Sequence, residues 1–497
     1  MSTRSPLDLD QPTMQRLGRQ VADLVAEHLA TLSSQPVIAG DLPATVRHQL
    51  SQPPSEGGME FDGLLETLRT DVLSRTAREP HPGFMGYVPS CPTFPAILGD
   101  WLATGYNVFA GVWSIAEGPN AIELAVLDWF RQWIGMPEGA GGLLTSGGSS
   151  ATLTAIVAAR HAVVGEDASR LARLTLYTSD QAHSAVVRAA WIAGVPRGQV
   201  RVLPSDKAFR LRPADVRAAM AADRAAGLVP LAVVASAGTT NTGAVDPLDE
   251  LADLCAAEKV WLHVDAAYGG FATLTPRGRE LLAGLGRCDS VALDPHKWLY
   301  VPIECGCLLV RDPARLREAF QILPDYLLDV APVDRQVNFA DYGEQLTRQA
   351  RGLKIWLNVR YFGLAALRTE IENGIARAEH IERMVREEPA LELLAPAQLG
   401  VVCFRVRPPD MDDPAELDAF NERVNTAVNA TGRHLISSTR LRGVFSLRAC
   451  VLGFRTSMAE VEAMIRSVLT AAGQLHPTLE LDSRRSATPR DITTATR

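Results

Sequence analysis

The stretch Val291-Ala-Leu-Asp-Pro-His-Lys-Trp-Leu-Tyr300 decides how the rest of the chain is interpreted. Its first three residues are apolar and predict a short buried strand. Proline cannot continue a strand ladder and restricts the residue before it, so the strand is expected to end at Asp294-Pro295. Lys297 follows directly, between a histidine and a tryptophan. Such a lysine is either an exposed turn residue or an amine with a chemical role, and the remaining sequence distinguishes the two.

The composition of the 497-residue chain, 47% hydrophobic, indicates a globular protein of two or three domains. The net charge is -8 and no long basic block occurs, which argues against nucleic acid or a membrane surface as partner. No apolar stretch is long enough to span a bilayer, and residues 1–12 lack the apolar core of a secretion signal. The seven cysteines are scattered, which favours reduced thiols in a cytoplasm, and Cys305-x-Cys307 lacks the second pair of a zinc site. No metal is therefore expected.

Between about residues 140 and 310, short apolar runs alternate with longer segments of helical periodicity. This alternation predicts an α/β domain with a mainly parallel seven-stranded sheet covered by helices on both faces. The expected strands are 143–145, 174–178, 199–203, 231–236, 260–265, 290–293 and 306–310. The expected helices are 150–161, 183–192, 213–226 and 249–257. Ligands of such sheets bind beyond the carboxyl ends of the strands, so the residues that follow each strand are the candidates for a site.

The predicted organisation has four parts. Residues 1–85, with helical patterns at 14–32 and 61–73, form an N-terminal helical arm, and residues 86–352 form the large domain. Residues 353–480 form a small C-terminal α+β domain, and the polar residues 481–497 are expected to be disordered. The C-terminal domain is expected to contain helices at 353–362, 364–385 and 458–475 and strand-like runs at 392–407 and 445–450.

Small or polar residues follow several expected strands. Thr145-Ser-Gly-Gly-Ser149 runs into a helix whose free N–H groups could bind an anion, although a plain helix cap explains it equally well. His183 stands near a helix start and Thr240 lies in a glycine-rich turn, and both also have structural explanations. Asp265 ends an apolar strand, where a nearly buried carboxylate needs a cationic or donating partner.

One sheet edge thus offers an anion cradle, an imidazole, a hydroxyl, a carboxylate and a lysine, in that order along the chain. A flat phosphorylated aldehyde with a basic ring nitrogen would use all five, and the small Ala267 leaves room for its ring. Pyridoxal phosphate has this chemistry, because a lysine binds its aldehyde as a Schiff base and an aspartate pairs with its ring nitrogen.

Two motifs about thirty residues apart, His263-Val-Asp-Ala-Ala-Tyr268 and Pro295-His-Lys-Trp298, are highly specific in combination. With them, over about residues 14–475, the chain resembles the pyridoxal-phosphate-dependent group II amino-acid decarboxylases, in particular the aromatic-L-amino-acid decarboxylase branch. The resemblance implies a fold-type I enzyme related in fold to aspartate aminotransferase, and an obligate homodimer with both sites at the interface. Further carriers of the resemblance are His81-Pro-x-Phe-x-x-Tyr87, Ser146-Gly-Gly-Ser149, His183, Gly238-Thr-Thr240 and Leu353-Lys-x-Trp356.

The resemblance also implies a role for each residue of the ring-binding site. Lys297 would hold the cofactor as a Schiff base, and Asp265 would keep the pyridine nitrogen protonated, which makes the ring accept electrons. His183 would stack on one face of the ring and Ala267 would pack against the other. The substrate amine would displace Lys297, and the carboxylate bond held perpendicular to the ring would break.

Other carried-over residues belong to the phosphate site and to the substrate pocket. Gly148 and Ser149 would bind the phosphate with His296 beside it, while Thr240 would contact the ring substituents or the aspartate. Tyr87 and Trp113 would form the wall of the side-chain pocket, and these aromatic residues favour an aromatic substrate. Arg448 matches a family arginine in the substrate site whose role stays open.

One position departs from the family pattern. Decarboxylases of this branch carry a loop tyrosine that helps deliver a proton to the α carbon, and counting back from Leu353 without gaps puts Phe339 at that position. In plant relatives, phenylalanine there accompanies oxygen attack that yields aldehyde, ammonia and peroxide. Tyr342, three residues on, His183 or a water are alternative proton donors. The sequence therefore predicts a decarboxylase and leaves an aldehyde synthase as the alternative.

Three other functions fit the sequence less well. A fold-type I transaminase or lyase would bind the substrate carboxylate with an arginine such as Arg448, but the context of Lys297 argues against it. A decarboxylase of aspartate, glutamate or diaminobutyrate stays open, although an acidic substrate would need a further cation in the pocket. A ligand-sensing regulator would need a DNA-binding module, and the N-terminal arm is not basic and has no helix-turn-helix pattern.

Overall fold

The computed structural model describes residues 5–322, 336–477 and 479, so the predicted disorder of 481–497 lies outside the described residues. Asp10 caps the first helix by accepting a hydrogen bond from the Thr13 N–H at 2.8 Å. None of the residues of this helix is buried within the chain. The first elements are α1 (Gln11–Ala30), α2 (Ala44–Leu50), α3 (Phe61–Thr67), β1 (Phe84–Met85), α4 (Phe94–Gly105) and α5 (Glu117–Ile134). The helix predicted over 61–73 is α-helical only as far as Thr67 and continues as a π-helical turn over Leu68–Val72.

A seven-stranded sheet with helices between its strands forms the centre of the molecule. Its elements are β2 (Gly141–Thr145), α6 (Gly148–Val164), β3 (Leu174–Ser179), α7 (Ser184–Ile192), β4 (Val200–Leu203), α8 (Pro213–Ala225), β5 (Val229–Ser236), α9 (Leu248–Glu258), β6 (Trp261–Asp265), α10 (Pro276–Leu281), β7 (Ser290–Leu293), α11 (Pro295–Trp298), β8 (Gly306–Val310) and α12 (Ala314–Phe320). The strand order is β2-β8-β7-β6-β5-β3-β4, and β8 runs opposite to the other six strands of this sheet. The predicted α/β class and mainly parallel sheet are confirmed.

The central strands are buried along their whole length. Every residue of β3, β7 and β8 is buried, and β7 and β8 accordingly consist almost wholly of apolar or small residues rather than alternating with polar ones. The strands run so that β2, β3, β5, β6 and β7 end at the same edge of the sheet. The segments that follow these strands are therefore brought together in space.

The C-terminal part packs a second sheet against this core. Its elements are α13 (Gly352–Glu387), β9 (Leu391–Gln398), β10 (Val401–Val406), α14 (Pro414–Ala430), β11 (Leu435–Leu441), β12 (Val444–Cys450) and α15 (Met458–Leu475). The sheet order is β1-β11-β12-β10-β9, and β1 joins it by pairing in parallel with β11. Gly363, with φ 74°, interrupts α13 at the point where the sequence predicts two helices.

Two elements of this part were not predicted from the sequence. The helix α14 buries five side chains along one face but is otherwise polar, and β11 carries Ser437, Ser438, Thr439 and Arg440. All seven cysteines are free and buried. Within the described ranges, no helix is both long and apolar enough to cross a membrane.

Candidate active site

A cavity of about 610 Å³ lies at the edge of the large sheet where β2, β5, β6 and β7 end, facing β11 and β12 of the small sheet. A volume of this size accommodates a cofactor-sized ligand. The structure brings ten of the predicted site residues to this cavity. These are Tyr87, Gly148, Ser149, His183, Thr240, Asp265, Ala267, His296, Lys297 and Arg448.

The N-terminus of α6 forms a concave cradle on one side of the cavity. A side chain at Gly148 would bring its Cβ within 3.0 Å of the Cβ of Ala267 and 3.2 Å of Oδ2 of Asp294, so only glycine fits without displacement. Ser149 is exposed to the cavity. The free N–H groups and the positive end of this 17-residue helix suit a phosphate group.

Asp265 is the last residue of β6 and points its carboxylate into the cavity. The N–H of Ala267 donates to its Oδ1 at 3.2 Å. Burial raises the pKa of Asp265, while the positive charge of Lys297 acts in the opposite direction. A carboxylate so poorly solvated is stabilised by a cation, and a protonated ring nitrogen would provide one.

Lys297 stands in the single-turn helix α11, held in place by its neighbour. The indole of Trp298 is fully buried and stacks on the ring of Tyr268, with 5.2 Å between the ring centroids. Nζ of Lys297 lies 2.8 Å from Oδ2 of Asp294, whose side chain is only 4% exposed. Burial lowers the pKa of Lys297, but the adjacent Asp294 and, more weakly, Asp265 outweigh it and raise the pKa overall.

Asp294 also lines the cavity, although the sequence predicts it only as the residue at which a strand ends. It follows an apolar strand just as Asp265 does, and that shared pattern could have identified it. Its Oδ1 is buried and has no hydrogen-bond partner among the described residues. Asp294 therefore adds a second carboxylate beside Lys297.

Two histidines line the cavity with defined orientations. Nδ1 of His183 accepts a hydrogen bond from the N–H of Ala185 at 3.2 Å, so its ring caps α7 and its other edge is open to the cavity. Nδ1 of His296 donates to the carbonyl oxygen of Cys305 at 2.6 Å. Burial lowers the pKa of His296, which favours a neutral ring with its hydrogen on Nδ1.

Arg448 connects the loops on the far side of the cavity. Its Nε donates to the carbonyl oxygen of Thr240 at 2.9 Å and to that of Asn241 at 3.1 Å. Its Nη1 donates to the carbonyl oxygen of Tyr87 and to Oγ of Ser437. Arg448 thus holds the backbone of both loops, and the role that the sequence left open includes this positioning.

The other three predicted residues do not line this cavity within the described part of the chain. The N–H of Trp113 donates to Oδ1 of Asn338 at 2.9 Å. Phe339 is fully buried, with the guanidinium of Arg348 over its ring at 4.9 Å. Tyr342 packs edge-on against Phe339, with 6.2 Å between the centroids. These three side chains therefore lie outside the cavity of their own chain.

Comparisons with known proteins give the same assignment. The model of the pyridoxal-dependent decarboxylase conserved domain matches residues 43–407. The chain is 35% identical to an aromatic-L-amino-acid decarboxylase of Bacillus atrophaeus, over 94% of this chain and 97% of that protein. It is 36% identical to a tyrosine decarboxylase of Oryza sativa subsp. japonica, over 90% and 88% of the two chains. A phenylacetaldehyde synthase of Arabidopsis thaliana is 32% identical over 90% of this chain and 93% of its own.

A solved structure also matches the fold. The TDC of Oryza sativa, crystallised with PLP and tryptamine, has a TM-score of 0.90 and is 31% identical, with 95% of this chain and 100% of that chain covered. The fold is accordingly fold-type I, the predicted family is confirmed, and the cofactor is pyridoxal phosphate. The chain belongs to the pyridoxal-dependent decarboxylases, the carboxy-lyases that act on amino acids with this cofactor.

Proposed function

We propose that this enzyme decarboxylates an aromatic L-amino acid to its amine and carbon dioxide. The observation that carries the proposal is the placement of Lys297, Asp265 and the glycine cradle at Gly148 around one cavity. Pyridoxal phosphate bound there supplies an electron-accepting ring that stabilises negative charge at the α carbon of the substrate.

Residues at three strand ends hold and polarise the cofactor. Lys297 would be its covalent anchor, and Asp265 would pair with its ring nitrogen and stabilise positive charge there. The N–H groups at Gly148 and Ser149 would bind the phosphate at the start of α6, with His296 beside them. These groups are fixed by the sheet and by the buried Trp298, so they need little reorganisation during the reaction.

Two side chains of different size would hold the ring. His183 would stack on one face, and the small Ala267, which is 7% exposed, would leave room against the other. Thr240 would contact the ring substituents or the carboxylate of Asp265. Tyr87 lines the same cavity and would face the substrate.

An aromatic side chain suits the substrate end of the cavity. Tyr87, which is 68% exposed, presents its ring at the mouth. The cation nearest to it, Arg448, already donates to backbone carbonyl oxygens of two loops. An aromatic side chain would pack against the exposed ring of Tyr87. The relatives named above that act on aromatic amino acids favour the same choice.

The enzyme works as a homodimer in which a second copy completes each site. Trp113, Phe339 and Tyr342 lie outside the cavity of their own chain. Large apolar side chains are exposed on α4, near Trp113 and along α13, as a surface covered by a second copy would require. These are Trp101, Leu102, Tyr106, Ile115, Tyr361 and Phe362. Measuring the molar mass in solution tests this proposal, and a monomer with full activity would contradict it.

The proposed organisation keeps the boundaries predicted from the sequence, with an arm at 1–85, a large domain at 86–352 and a small domain at 353–480. The seven free cysteines favour a reducing compartment, and we place the enzyme in the cytoplasm. Fractionation of cells that express the tagged protein tests the location.

An aldehyde synthase is the second candidate function. It is favoured by Phe339, which has no proton to donate, and by the similarity to a phenylacetaldehyde synthase. One experiment separates the two: the purified enzyme is incubated with a panel of L-amino acids while carbon dioxide, amine, aldehyde and peroxide are measured together. Amine equal to carbon dioxide is expected for an aromatic substrate. Aldehyde and peroxide equal to carbon dioxide would establish the second candidate instead.

A further inference from the structure

We propose that Asp294 is the positioning residue that keeps Nζ of Lys297 protonated, and that Lys297, as a free ammonium group, returns the proton to the α carbon after carbon dioxide has left. The inference rests on the proposed decarboxylation and deepens it by naming the proton donor. It assigns protonation of the α carbon to Lys297, because the phenyl ring of Phe339 has no proton to donate.

The geometry around Asp294 gives it few other partners. Its Oδ2 lies 2.8 Å from Nζ of Lys297, whereas Nε2 of His296 is 3.8 Å away, beyond hydrogen-bond distance. Its other oxygen is buried and lacks a partner among the described residues. A carboxylate in this position requires a cation, so Asp294 and Lys297 stabilise each other's charged forms.

The segment with Phe339 and Tyr342 offers no competing donor within the chain. The ring of Phe339 is buried beneath Arg348, and Tyr342 lies in a shallow surface depression beside Arg317. His183 does face the cavity, but its Nδ1 accepts from a backbone N–H and its ring is the proposed stacking surface. Lys297, in contrast, must reach the carbon to which the substrate nitrogen becomes attached, so its Nζ is necessarily close to the α carbon.

Three titratable groups act on Nζ of Lys297, namely Asp294, Asp265 and Cys450. His183, His296 and Arg448 face the same cavity from the other elements packed around it. Burial lowers the pKa of Lys297, and the carboxylate of Asp294, followed by that of Asp265, outweighs burial and raises it. Asp294 is the nearer of the two, so neutralising it is expected to have the larger effect on the charge at Nζ.

The step is balanced in atoms and charge, with solvent as the source of the proton. The bond between the α carbon and the carboxylate breaks, carbon dioxide leaves, and the electron pair stays with the substrate carbon. A proton moves from Nζ to that carbon, forming a C–H bond and leaving Lys297 as a neutral amine, while Asp294 stays ionised. The neutral amine is the form needed to displace the product. One proton taken from solvent per turnover recharges Lys297.

The first test measures charge at Nζ without turnover. The absorbance of the Lys297 Schiff base in the holoenzyme is titrated with pH in the wild type and in Asp294→Asn. Removal of the carboxylate is expected to lower the midpoint by about one pH unit or more. Glu304→Gln is the matched control, because Glu304 lines the same cavity but pairs with Arg351 at 2.8 Å. An unmoved midpoint in Asp294→Asn overturns the proposal.

The second test follows the products per molecule of carbon dioxide released, a ratio that does not depend on how much of the variant is folded. In Asp294→Asn, amine per carbon dioxide is expected to fall several-fold, with aldehyde and peroxide making up the difference. An unchanged ratio overturns the role in proton return. Asp294→Ser, also neutral, repeats both measurements if the first variant folds poorly. Absence of carbon dioxide release by the wild type would instead refute the proposed function.

Discussion

Two regions of the molecule bear on the reaction, and they are built differently. The cavity around Lys297 is formed where β2, β5, β6 and β7 end and by short turns that follow strands of the sheet. The segment 336–350 has little regular structure, and Phe339 in it packs away from the cavity. The first region forms its cavity within one chain, whereas no residue of the second lines that cavity.

This difference separates two decisions in the chemistry. The proposed function assigns cofactor attachment and loss of carbon dioxide to groups fixed by the sheet, such as Lys297 and Asp265. The fate of the resulting carbanion is the step for which the resemblance implies a loop residue, and this chain has Phe339 at that position. Variants in the first region are therefore expected to abolish the reaction, and variants in the second to change rates or products modestly.

Lys297→Ala is expected to have the largest effect. The Schiff-base absorbance should vanish and the rate should fall at least about a thousandfold, because covalent anchoring is lost. The chain has only four lysines, Lys207, Lys259, Lys297 and Lys354, so borohydride reduction followed by peptide mapping identifies the anchoring amine. Lys207→Ala, an exposed position, is the control and should keep the absorbance. Cofactor trapped on Lys207, Lys259 or Lys354 would refute the first region as described.

Asp265→Asn should have the next largest effect. The neutral amide no longer stabilises positive charge on the ring nitrogen, and the rate of carbon dioxide release should fall by about a hundredfold or more. Asp265→Glu keeps the charge and should lose less. Steady-state kinetics with the cofactor at saturation separate this loss from weaker cofactor binding. A rate within about twofold of wild type for Asp265→Asn would contradict the proposed pairing.

The burial of His263, in the strand that ends at Asp265, makes the stability of the first region depend on pH. It is fully buried, with Nδ1 2.9 Å from Oγ of Ser290 and Nε2 3.3 Å from Oγ1 of Thr152. Burial lowers its pKa from 6.5 to about 3, so it is neutral when folded. Between those values the unfolded chain binds a proton that the folded chain does not, so stability falls as the pH falls.

The expected loss from His263 is at most about 1.4 kcal/mol in the free energy of unfolding per pH unit below pH 6.5. Denaturant unfolding at several pH values, with saturating cofactor, measures the slope. His263→Gln should reduce the slope by about one proton while lowering stability at neutral pH. An unchanged slope would mean that His263 does not titrate on unfolding.

The first region could be predicted from sequence because its determinants are local. A buried apolar run followed by a polar residue marks the end of a strand, and parallel strands bring such ends together, as for Asp265 and Lys297. The charge of Asp294 could not be assigned a role from the sequence, because its contact with Lys297, three residues on, forms only when residues 295–298 fold into the single turn of α11. The helix α14 was missed because its buried face is narrow among polar residues.

The second region could not be predicted in the same way. Counting back from Leu353 gives the position of Phe339 in the family pattern, but it does not say where an irregular segment packs. The contact of Phe339 with Arg348 depends on the buried ion pair of Arg348 with Glu123, 2.7 Å long, which joins residues 225 positions apart. Long-range pairs of this kind leave no periodic pattern in the sequence.

Phe339→Tyr measures what the second region contributes to product fate. Since the proposed proton donor is Lys297, the variant should still form amine, with a change in rate of no more than a few-fold. The amine, aldehyde and peroxide formed per carbon dioxide provide the measurement, and Tyr342→Phe is the control for an added or removed hydroxyl nearby. A switch from aldehyde to amine in Phe339→Tyr would show that the wild type is an aldehyde synthase.

Glu344→Gln tests the direct link between the two regions and should have the smallest effect. Oγ of Ser150 donates to Oε1 of Glu344 at 2.6 Å, and Oγ1 of Thr154 donates to Oε2 at 3.2 Å, so the irregular segment is attached to the helix that forms the phosphate cradle. Removing the charge should weaken these bonds by about 1 kcal/mol and leave α6 in place, since its buried face holds it in the core.

The cofactor affinity of Glu344→Gln should therefore change by less than about fivefold, an order of magnitude set by one weakened charge-assisted hydrogen bond. Glu318→Gln is the matched control, because Glu318 is exposed on α12 and pairs with Arg315 at 2.9 Å. Equilibrium titration with pyridoxal phosphate gives the affinity, and product ratios report any effect on the carbanion. A loss of cofactor affinity of about a hundredfold, the size of the rate loss expected for Asp265→Asn, would mean that segment 336–350 shapes the phosphate cradle. The two regions would then not be independent.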